Sequence, residues 1–379
     1  MEALKRKDNY QYKNLDTNNY DLIMHEVENM YFLSPKAVMF VIQNYDLYEK
    51  QASKGYYDGE AYKTLMSAYF MREYEWEIDN ENIIYVPSDE MAYTLIFESL
   101  TKVNDNVVVL SPLEKTLRYK ILATSRNLIS IPLLYENDKV ELDYDLLDEY
   151  SKDAKVMVIS NPHYPSGRCF KEEELQKIGQ IARKNKLWIL SIEEGYEFTR
   201  EGVKYTPLSK ALNNSSNVIT YLNPCKTLNL MDSSMGNLVI NNKKFRDFMK
   251  NQLNNSPRFS VSPIDVEIFN IFYSRISGWI KKMKNYINSN FDLFDKYLNN
   301  IFGSLHLEKP ESGSLAFIDL SKYGYMPDEL EYRILKNGKI TLKFGEEIEG
   351  ILQGKIVLNM AYPREMIKEA LNRIRIALS

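Results

Sequence analysis

The sequence predicts an α/β protein. We expect a large domain with a doubly wound, mostly parallel sheet, and a smaller α+β domain from the C-terminal part and the N-terminal segment. Across roughly residues 50–270, short apolar runs alternate with helical patterns. Such runs are typical of strands buried on both faces, as in a parallel sheet. Beyond residue 300 the order is strand, strand, helix, strand, helix, which is typical of a small α+β domain.

The first helices are indicated by their ends and their apolar faces. Ser34 is a good N-cap for a helix to about Glu49, because Pro35 suits the first helical position. An amphipathic helix is expected from about Glu60 to Glu75. Strands are then expected at 83–86, 107–110, 128–133, 156–159, 187–192, 218–221 and 235–240. The helices between them are expected at 89–102, 116–125, 144–152 and 171–185.

The domain limits follow from this order. Residues 1–50 are expected to form an N-terminal arm and part of the small domain, and residues 51–270 the large domain. A connecting helix is expected at 271–300, within a helical pattern that starts at Pro263, and the small domain at 301–379. Within the small domain, strands are expected at 305–307, 315–318 and 356–358, and helices at 327–336 and 365–378.

Composition argues against several classes of function. The formal net charge of the 379 residues is -4, which provides no basic surface for nucleic acid. The two cysteines make no disulfide framework, and the three histidines share no metal-ligand spacing. The first residues lack the apolar core of a signal peptide, and no apolar stretch approaches the ~20 residues that span a membrane. We therefore expect a soluble cytoplasmic protein.

One lysine stands at the end of a predicted strand. The strand at 218–221 leads into a polar turn that ends at Lys226, and the strand at 235–240 then returns. In α/β proteins, ligands bind where strands end and loops begin. A lysine there can form an imine with a carbonyl compound, pyridoxal phosphate included. The alternative for Lys226 is an ordinary surface residue in a loop.

Three segments follow one another in a recognisable order: NPHYPSG at 161–167, EEEL at 172–175 and EEGY at 193–196. This order resembles the N-P-x-N-P-T-G, E-E-L and D-E-x-Y motifs of fold-type-I pyridoxal-phosphate enzymes, the class I/II aminotransferases. The segments 76–87 and 358–364 are similar to the cystathionine β-lyase (C–S lyase) branch. The resemblance covers almost the whole chain. It implies the aminotransferase fold type I, a pyridoxal phosphate cofactor and an amino-acid-like substrate.

The resemblance assigns roles to four residues. Lys226 takes the position of the catalytic lysine that forms the imine. Glu193 stands where the family has an aspartate facing the pyridine nitrogen, and an acid there keeps that nitrogen protonated. Tyr196 matches the tyrosine that donates to the ring oxygen of the cofactor. Tyr56 matches the tyrosine that reaches the phosphate in a neighbouring subunit, and the family also implies a homodimer.

At the phosphate position the chain departs from the family. The glycine-containing turn that offers backbone N–H groups to the phosphate is replaced by a Pro-Ser-Asp-Glu turn that contains Ser88 and Asp89. Phosphates favour helix N-termini, but Asp89 would bring a negative charge of its own. The hydroxyl residue three positions before the lysine is Asn223, and the phosphate-binding arginine is Ser234. The simpler interpretation makes Asp89 a helix N-cap and Glu90 a first-turn acid.

The ring and substrate positions depart as well. The second asparagine of N-P-x-N-P is Tyr164, and the aromatic residue that often stacks on the ring is Glu114. The arginine that holds the α-carboxylate of an amino acid is Val357, which cannot form an ion pair. His163 lies in the same loop as Tyr164 and is either a ligand contact or a structural histidine.

Three hypotheses of function follow. The first is a pyridoxal-phosphate enzyme that acts on an amino-acid-like substrate by transamination or β-elimination. The second is a catalytically degenerate member that no longer binds the cofactor and serves as a binding or partner subunit, with Lys226 paired to Glu193. The third is a catalyst that uses Lys226 on another carbonyl ligand, one without a phosphate.

Overall fold

The computed structural model describes residues 22–23, 60–136, 139–224, 227, 236–255, 263–275, 277–303, 305, 307, 309–344 and 354–379. The chain divides into two units. The sheet unit consists of residues 32–284 and 311–313, and the C-terminal unit of residues 1–31, 285–310 and 314–379. The domain limits expected from the sequence, 51–270 and 301–379, stay predictions.

The elements are numbered along the chain. The strands are β1 (Leu22–Ile23), β2 (Ile83–Val86), β3 (Asn106–Ser111), β4 (Asn127–Glu136), β5 (Lys139–Leu142), β6 (Ala154–Ser160), β7 (Trp188–Glu193), β8 (Val218–Leu222), β9 (Gly236–Ile240), β10 (Leu315–Asp319), β11 (Ile340–Thr341), β12 (Lys343–Phe344) and β13 (Lys355–Asn359). The α-helices are α1 (Ala61–Tyr74), α2 (Asp89–Leu100), α3 (Lys115–Ala123), α4 (Tyr144–Ser151), α5 (Glu172–Lys184), α6 (Leu208–Ala211), α7 (Lys243–Asn254), α8 (Pro263–Arg275), α9 (Ser277–Phe302), α10 (Pro327–Lys336) and α11 (Arg364–Leu378).

Within the described residues, the sheet unit contains an eight-stranded sheet in the order β2-β9-β8-β7-β6-β3-β4-β5. The pairs from β8 through β7, β6 and β3 to β4 are parallel, and the pairs at the two edges are antiparallel. This confirms the mostly parallel sheet. The chain continues from β3 to β4 on one side and later returns to β6 on the other. The border between β3 and β6 is therefore a topological switch point, where ligands of such sheets bind at the carboxyl ends of the strands.

Helices cover both faces of this sheet because its strands are apolar on both faces. In β6, Val156 and Val158 join an apolar cluster with residues of α2 and α3. Met157 and Ile159 join a second cluster with residues of α4 and α5. Successive side chains of a strand point to opposite faces, so one continuous apolar run supplies both cores. This is the doubly wound arrangement that the sequence predicts.

A third cluster in the sheet unit is largely aromatic. We call it the aromatic cluster, and its buried aromatic members are Tyr62, Tyr69, Phe70, Trp76, Tyr85, Tyr196, Tyr205, Phe269, Phe272 and Tyr273. Many of these rings meet at an angle. Phe70 and Trp76, for example, lie 5.1 Å apart with an interplanar angle of 77°. Such edge-to-face pairs contribute about 0.5–1.5 kcal/mol each beyond their buried area.

The C-terminal unit is built around a small antiparallel sheet. Its strands follow the order β10-β13-β12. Strand β1 from the N-terminal segment pairs in parallel with β11. The N-terminal segment therefore contributes to this unit, as the predicted α+β arrangement requires.

Some predicted elements of the later chain differ from the structure. A strand at 305–307 is wrong for the residues described there, because Leu305 and Leu307 are buried in irregular backbone and belong to no strand. The long helix expected from Pro263 is described as two helices, α8 and α9. The helix expected from Ser34 lies outside the described residues.

Candidate active site

Two described residues flank Lys226 along the chain, and each is anchored by a hydrogen bond to a buried acid. Asn223, which follows β8, donates from Nδ2 to Oδ1 of Asp89 at 2.8 Å. Thr227 donates from Oγ1 to Oε2 of Glu197 at 2.9 Å. Lys226 itself lies outside the described residues, so its role stays a prediction.

Helix α2 begins shortly after β2 and carries an acid at its first residue. Ser88 is the N-cap, because its side chain accepts a hydrogen bond from the backbone N–H of Met91 at 3.1 Å. Asp89 is therefore the first helical residue, which corrects the prediction that it is the N-cap. Asp89 is only 8% exposed. Its Oδ1 accepts hydrogen bonds from the Tyr221 hydroxyl and from the amide of Asn223.

The ring of Tyr221 is held from two sides. It packs against the backbone of Gly236, where an added Cβ would lie 2.5 Å from a ring carbon. Its centroid is also 5.5 Å from that of the Tyr93 ring. Burial, and then the charge of Asp89, raise the pKa of Tyr221 well above its usual value. The hydroxyl therefore stays protonated and donates to Asp89.

Glu193 ends β7 and is completely buried. Its Oε1 accepts hydrogen bonds from the Ser191 hydroxyl at 2.7 Å and from the backbone N–H of Leu208, at the start of α6, at 3.0 Å. Its Oε2 accepts a hydrogen bond from the Tyr205 hydroxyl. Burial raises the pKa of Glu193 to about 7, although these donors oppose the rise. An acid that can hold a proton near neutral pH thus stands at the end of β7.

Tyr196 lies within the aromatic cluster. Its ring stacks on that of Tyr205 at 5.0 Å with an interplanar angle of 15°, and it meets Tyr74 edge-on at 5.5 Å. Burial, and then the charge of Glu197, raise the pKa of Tyr196 well above its usual value. Burial also raises the pKa of Glu197 to about 7. Tyr196 is thus a protonated phenol, and donation to a ring oxygen stays a prediction for it.

A cavity lies at the carboxyl ends of β3, β6 and β7, next to the switch point. Its volume of about 20 Å³ suits about one water molecule. Glu114 and Tyr164 both line it, together with Glu194. The two residues that the resemblance places at the cofactor ring therefore line the same cavity. His163 lines it too, but its Nδ1 lies 2.8 Å from Oγ of Ser166. Burial lowers the pKa of His163 to about 4, so this imidazole is neutral at neutral pH.

The other predicted positions include one in the C-terminal unit. Val357 lies in β13, opposite Phe317 on one side and Lys343 on the other, and is 3% exposed. It is a core residue and supplies no charge for a carboxylate. Ser234 and Tyr56 lie outside the described residues.

At the ring end of pyridoxal phosphate, Glu193 is a buried acid of the kind that keeps a ring nitrogen protonated. The residues that line the cavity include Glu194 but not Glu193, so a contact between Glu193 and the ring stays a prediction. A phosphate at the start of α2 would instead meet the carboxylate of Asp89, to which Tyr221 and Asn223 already donate. At an effective dielectric of ~20, two like charges ~4 Å apart repel by roughly 4 kcal/mol. The described residues therefore do not fit the phosphate group.

Four residues of these hydrogen-bonded groups are absent from the sequence prediction. They are the buried acid Glu197 and the donors Tyr205, Tyr221 and Thr227. An acid at the end of a buried strand needs donors, but position along the chain does not identify them, because Tyr205 is 12 residues from Glu193 and Tyr221 is 132 residues from Asp89.

The described residues contain neither a cluster of metal-ligand side chains nor a membrane-spanning helix. No group of three or more His, Cys, Asp or Glu in that part of the chain could hold a metal ion. None of the described helices is both long and apolar enough to pass through a bilayer.

Comparison with known proteins identifies the class to which this fold and site belong. The family model for aminotransferase class I and II matches residues 12–374. The chain belongs to this family, whose members include pyridoxal-phosphate-dependent aminotransferases and C–S lyases. The predicted family and its fold type I are thereby confirmed.

Several individual relatives resemble the chain over most of its length. Cystathionine β-lyase PatB of Bacillus subtilis is 25% identical over 325 residues, which cover 84% of this chain and 83% of the relative. An aspartate aminotransferase of Pyrococcus horikoshii is 25% identical over 316 residues, or 82% of this chain and 78% of the relative. A solved structure of a pyridoxal-phosphate-bound protein from Clostridium difficile 630 matches with a TM-score of 0.86 and 26% identity, over 100% of this chain and 99% of that one.

Proposed function

We propose that this protein acts on an amino-acid-like substrate, by transamination or C–S bond cleavage, with a vitamin B6 aldehyde bound through Lys226. One observation carries the proposal. Glu193, a completely buried acid whose pKa is raised to about 7, lies opposite Leu222 in the parallel pair of β7 and β8. Leu222 is the last residue of β8 and precedes Lys226 by only a few residues in the sequence. Glu193 therefore ends one strand, and Lys226 comes soon after the end of the neighbouring strand.

Each residue has a separate task in this proposal. Glu193 holds a proton at its carboxyl group, and Lys226 supplies the amine and moves a proton. When bound, the cofactor supplies a ring that accepts electrons from the substrate. The two reactions are those named in the relatives, cystathionine β-lyase and aspartate aminotransferase, which share the same identity to this chain.

The substrate is proposed to differ from a free α-amino acid in how its carboxylate is held. Val357 is a buried core residue at the position where the family has its carboxylate-binding arginine. A modified or peptide-borne amine fits this change, because it needs no such ion pair. Turnover of amino-acid amides and short peptides should therefore exceed turnover of the corresponding free amino acids. The reverse order would contradict this part of the proposal.

The visible spectrum of the purified protein tests the function itself. Addition of pyridoxal phosphate or pyridoxal should colour the protein yellow, and borohydride should then attach the aldehyde to Lys226, as peptide mass would reveal. Lys226→Ala is the matched control and should lose both signals. A protein that stays colourless with an excess of pyridoxal phosphate and also with an excess of pyridoxal would contradict the proposal.

A second candidate is a family member without catalysis that serves as a binding or partner subunit. It is the alternative among the hypotheses drawn from the sequence, and it is compatible with the hydrogen bonds that Asp89 and Glu193 accept from the chain's own donors. Neither carboxylate therefore requires a ligand to satisfy it. This candidate expects no colour and no shift of the thermal midpoint with either aldehyde.

We also propose a cytoplasmic homodimer, on the basis of the family. Light scattering at micromolar concentration should give twice the mass of one chain. A result equal to one chain would contradict the homodimer.

A further inference from the structure

We infer that the carboxylate of Asp89 takes the place of the phosphate group of the family's cofactor. The chain then selects a vitamin B6 aldehyde without a phosphate, of which pyridoxal is the simplest. This inference rests on the proposed function and deepens it by specifying the form of the cofactor. Its basis is the misfit between a phosphate group and the residues at the start of α2.

The donors at this position already serve an anion of the chain itself. Asn223 stands where the family resemblance places a hydroxyl residue near the lysine, and its Nδ2 donates to Oδ1 of Asp89 at 2.8 Å. The Tyr221 hydroxyl donates to the same oxygen. Asp89 also begins a helix of 12 residues, whose N-terminal end favours a negative charge. One carboxylate therefore uses the helix end and two side-chain donors together.

Electrostatics then disfavours a second anion. Asp89 is 8% exposed, so solvent and salt screen its charge far less than that of a surface acid. At an effective dielectric of ~20, a like charge ~4 Å away weakens binding by roughly a thousandfold. A phosphate group would bring such a charge, whereas the hydroxymethyl group of pyridoxal is neutral and can donate a hydrogen bond to the carboxylate.

Packing keeps the carboxylate where it is. The Tyr221 ring lies against Gly236, with no room even for a Cβ there, and it also packs on Tyr93. The phenol therefore cannot turn away from Asp89 unless β8 or β9 shifts. If Asp89 itself turned away, two buried donors would lose this acceptor, which costs free energy.

The test compares the dissociation constants of pyridoxal and pyridoxal phosphate, each followed by absorbance, for the wild type and Asp89→Asn. The wild type should bind pyridoxal at least about tenfold more tightly than pyridoxal phosphate. Asp89→Asn removes the charge and keeps the shape. It should tighten pyridoxal phosphate by roughly a hundredfold or more. It should weaken pyridoxal by no more than about tenfold, because the hydroxymethyl group then donates to a neutral acceptor.

Glu90→Gln is the matched control. Glu90 is the next residue in the same helical turn, but its side chain is 65% exposed and pairs with Lys120 at 3.2 Å. Because solvent screens an exposed charge, this variant should change either dissociation constant by less than about threefold. If Glu90→Gln tightens pyridoxal phosphate as much as Asp89→Asn does, the effect is one of net charge and the inference fails.

The outcomes separate this inference from the proposed function. If the wild type binds pyridoxal phosphate more tightly than pyridoxal and Asp89→Asn brings no gain, the inference is overturned while the proposed function stands. If neither aldehyde binds to the wild type or to the variant, both are removed. Asp89→Ser, which also removes the charge, repeats the comparison if Asp89→Asn folds poorly.

Discussion

Glu193 and Asp89 are two buried acids in the sheet unit, and they invite comparison. Each accepts a hydrogen bond from a tyrosine hydroxyl, Tyr205 for Glu193 and Tyr221 for Asp89. The resemblance to the family predicts that Glu193 stands where an acid is expected, and that Asp89 stands in the turn expected to bind an anion. The carboxyl group of Glu193 is therefore compatible with a cationic group of a ligand. The carboxylate of Asp89, by contrast, opposes an anionic group.

The largest expected effect comes from removing the acid at the end of β7. Glu193→Ala leaves the donors of Ser191, Tyr205 and Leu208 without this acceptor and creates a cavity. It should lower the free energy of unfolding by roughly 3–5 kcal/mol at pH 6, as measured by urea unfolding. Glu193→Gln, which keeps the volume and an acceptor, is the control. A loss below about 1 kcal/mol for Glu193→Ala would contradict the structure of this site.

The second largest effect should be the contribution of Glu193 to the pH dependence of stability. The pKa of Glu193 is raised to about 7 in the folded protein from an ordinary value of 4.5, and burial is the cause. A raised pKa stabilises the fold fully below the ordinary value, and this contribution is lost as the pH rises through about 7. Between these limits Glu193 should account for a fall of roughly 3 kcal/mol in the free energy of unfolding. The thermal midpoint of Glu193→Gln should fall less steeply, and equal slopes would contradict the assignment.

Removal of each phenol hydroxyl sharpens the comparison. Tyr205→Phe and Tyr221→Phe should each cost roughly 1–3 kcal/mol, because each takes a donor from a buried carboxylate. Tyr205→Phe should also move the pH profile of stability to higher pH, since this hydroxyl lowers the pKa of Glu193. Tyr221→Phe should leave that profile in place. If both variants shift it alike, the two acids are not separate sites.

The smallest effect is expected at the helix cap beside Asp89. Ser88→Ala removes the acceptor for the backbone N–H of Met91 and should cost about 1 kcal/mol. Ser88→Asn is the control, because asparagine is also a good N-cap. Urea unfolding measures both variants. If the Ser88→Ala and Ser88→Asn variants are equally stable, the N-cap hydrogen bond contributes nothing to the free energy of unfolding.

Much of the fold could be predicted because strands and helices follow from local patterns. Strand β2 (Ile83–Val86) and helix α10 (Pro327–Lys336) have the limits that the sequence predicts. Strand β5 (Lys139–Leu142) could not be recognised, because KVEL at the sheet edge contains no apolar run. The sequence predicts Asp89 as the N-cap of α2, and this was wrong by one residue because Ser88 is also a good capping residue. The hydrogen bond from the Met91 N–H to the Ser88 side chain identifies the cap.

The sequence by itself determined the family, the order of the elements and the presence of acids at 89 and 193, because these depend on residue type and position along the chain. Only the tertiary structure decided which donors these acids receive. Tyr221 and Asn223 are separated from Asp89 by 132 and 134 positions along the chain. The direction of a buried hydroxyl depends on how distant strands pack, here on the room that Gly236 leaves for the ring of Tyr221, and no local pattern records it.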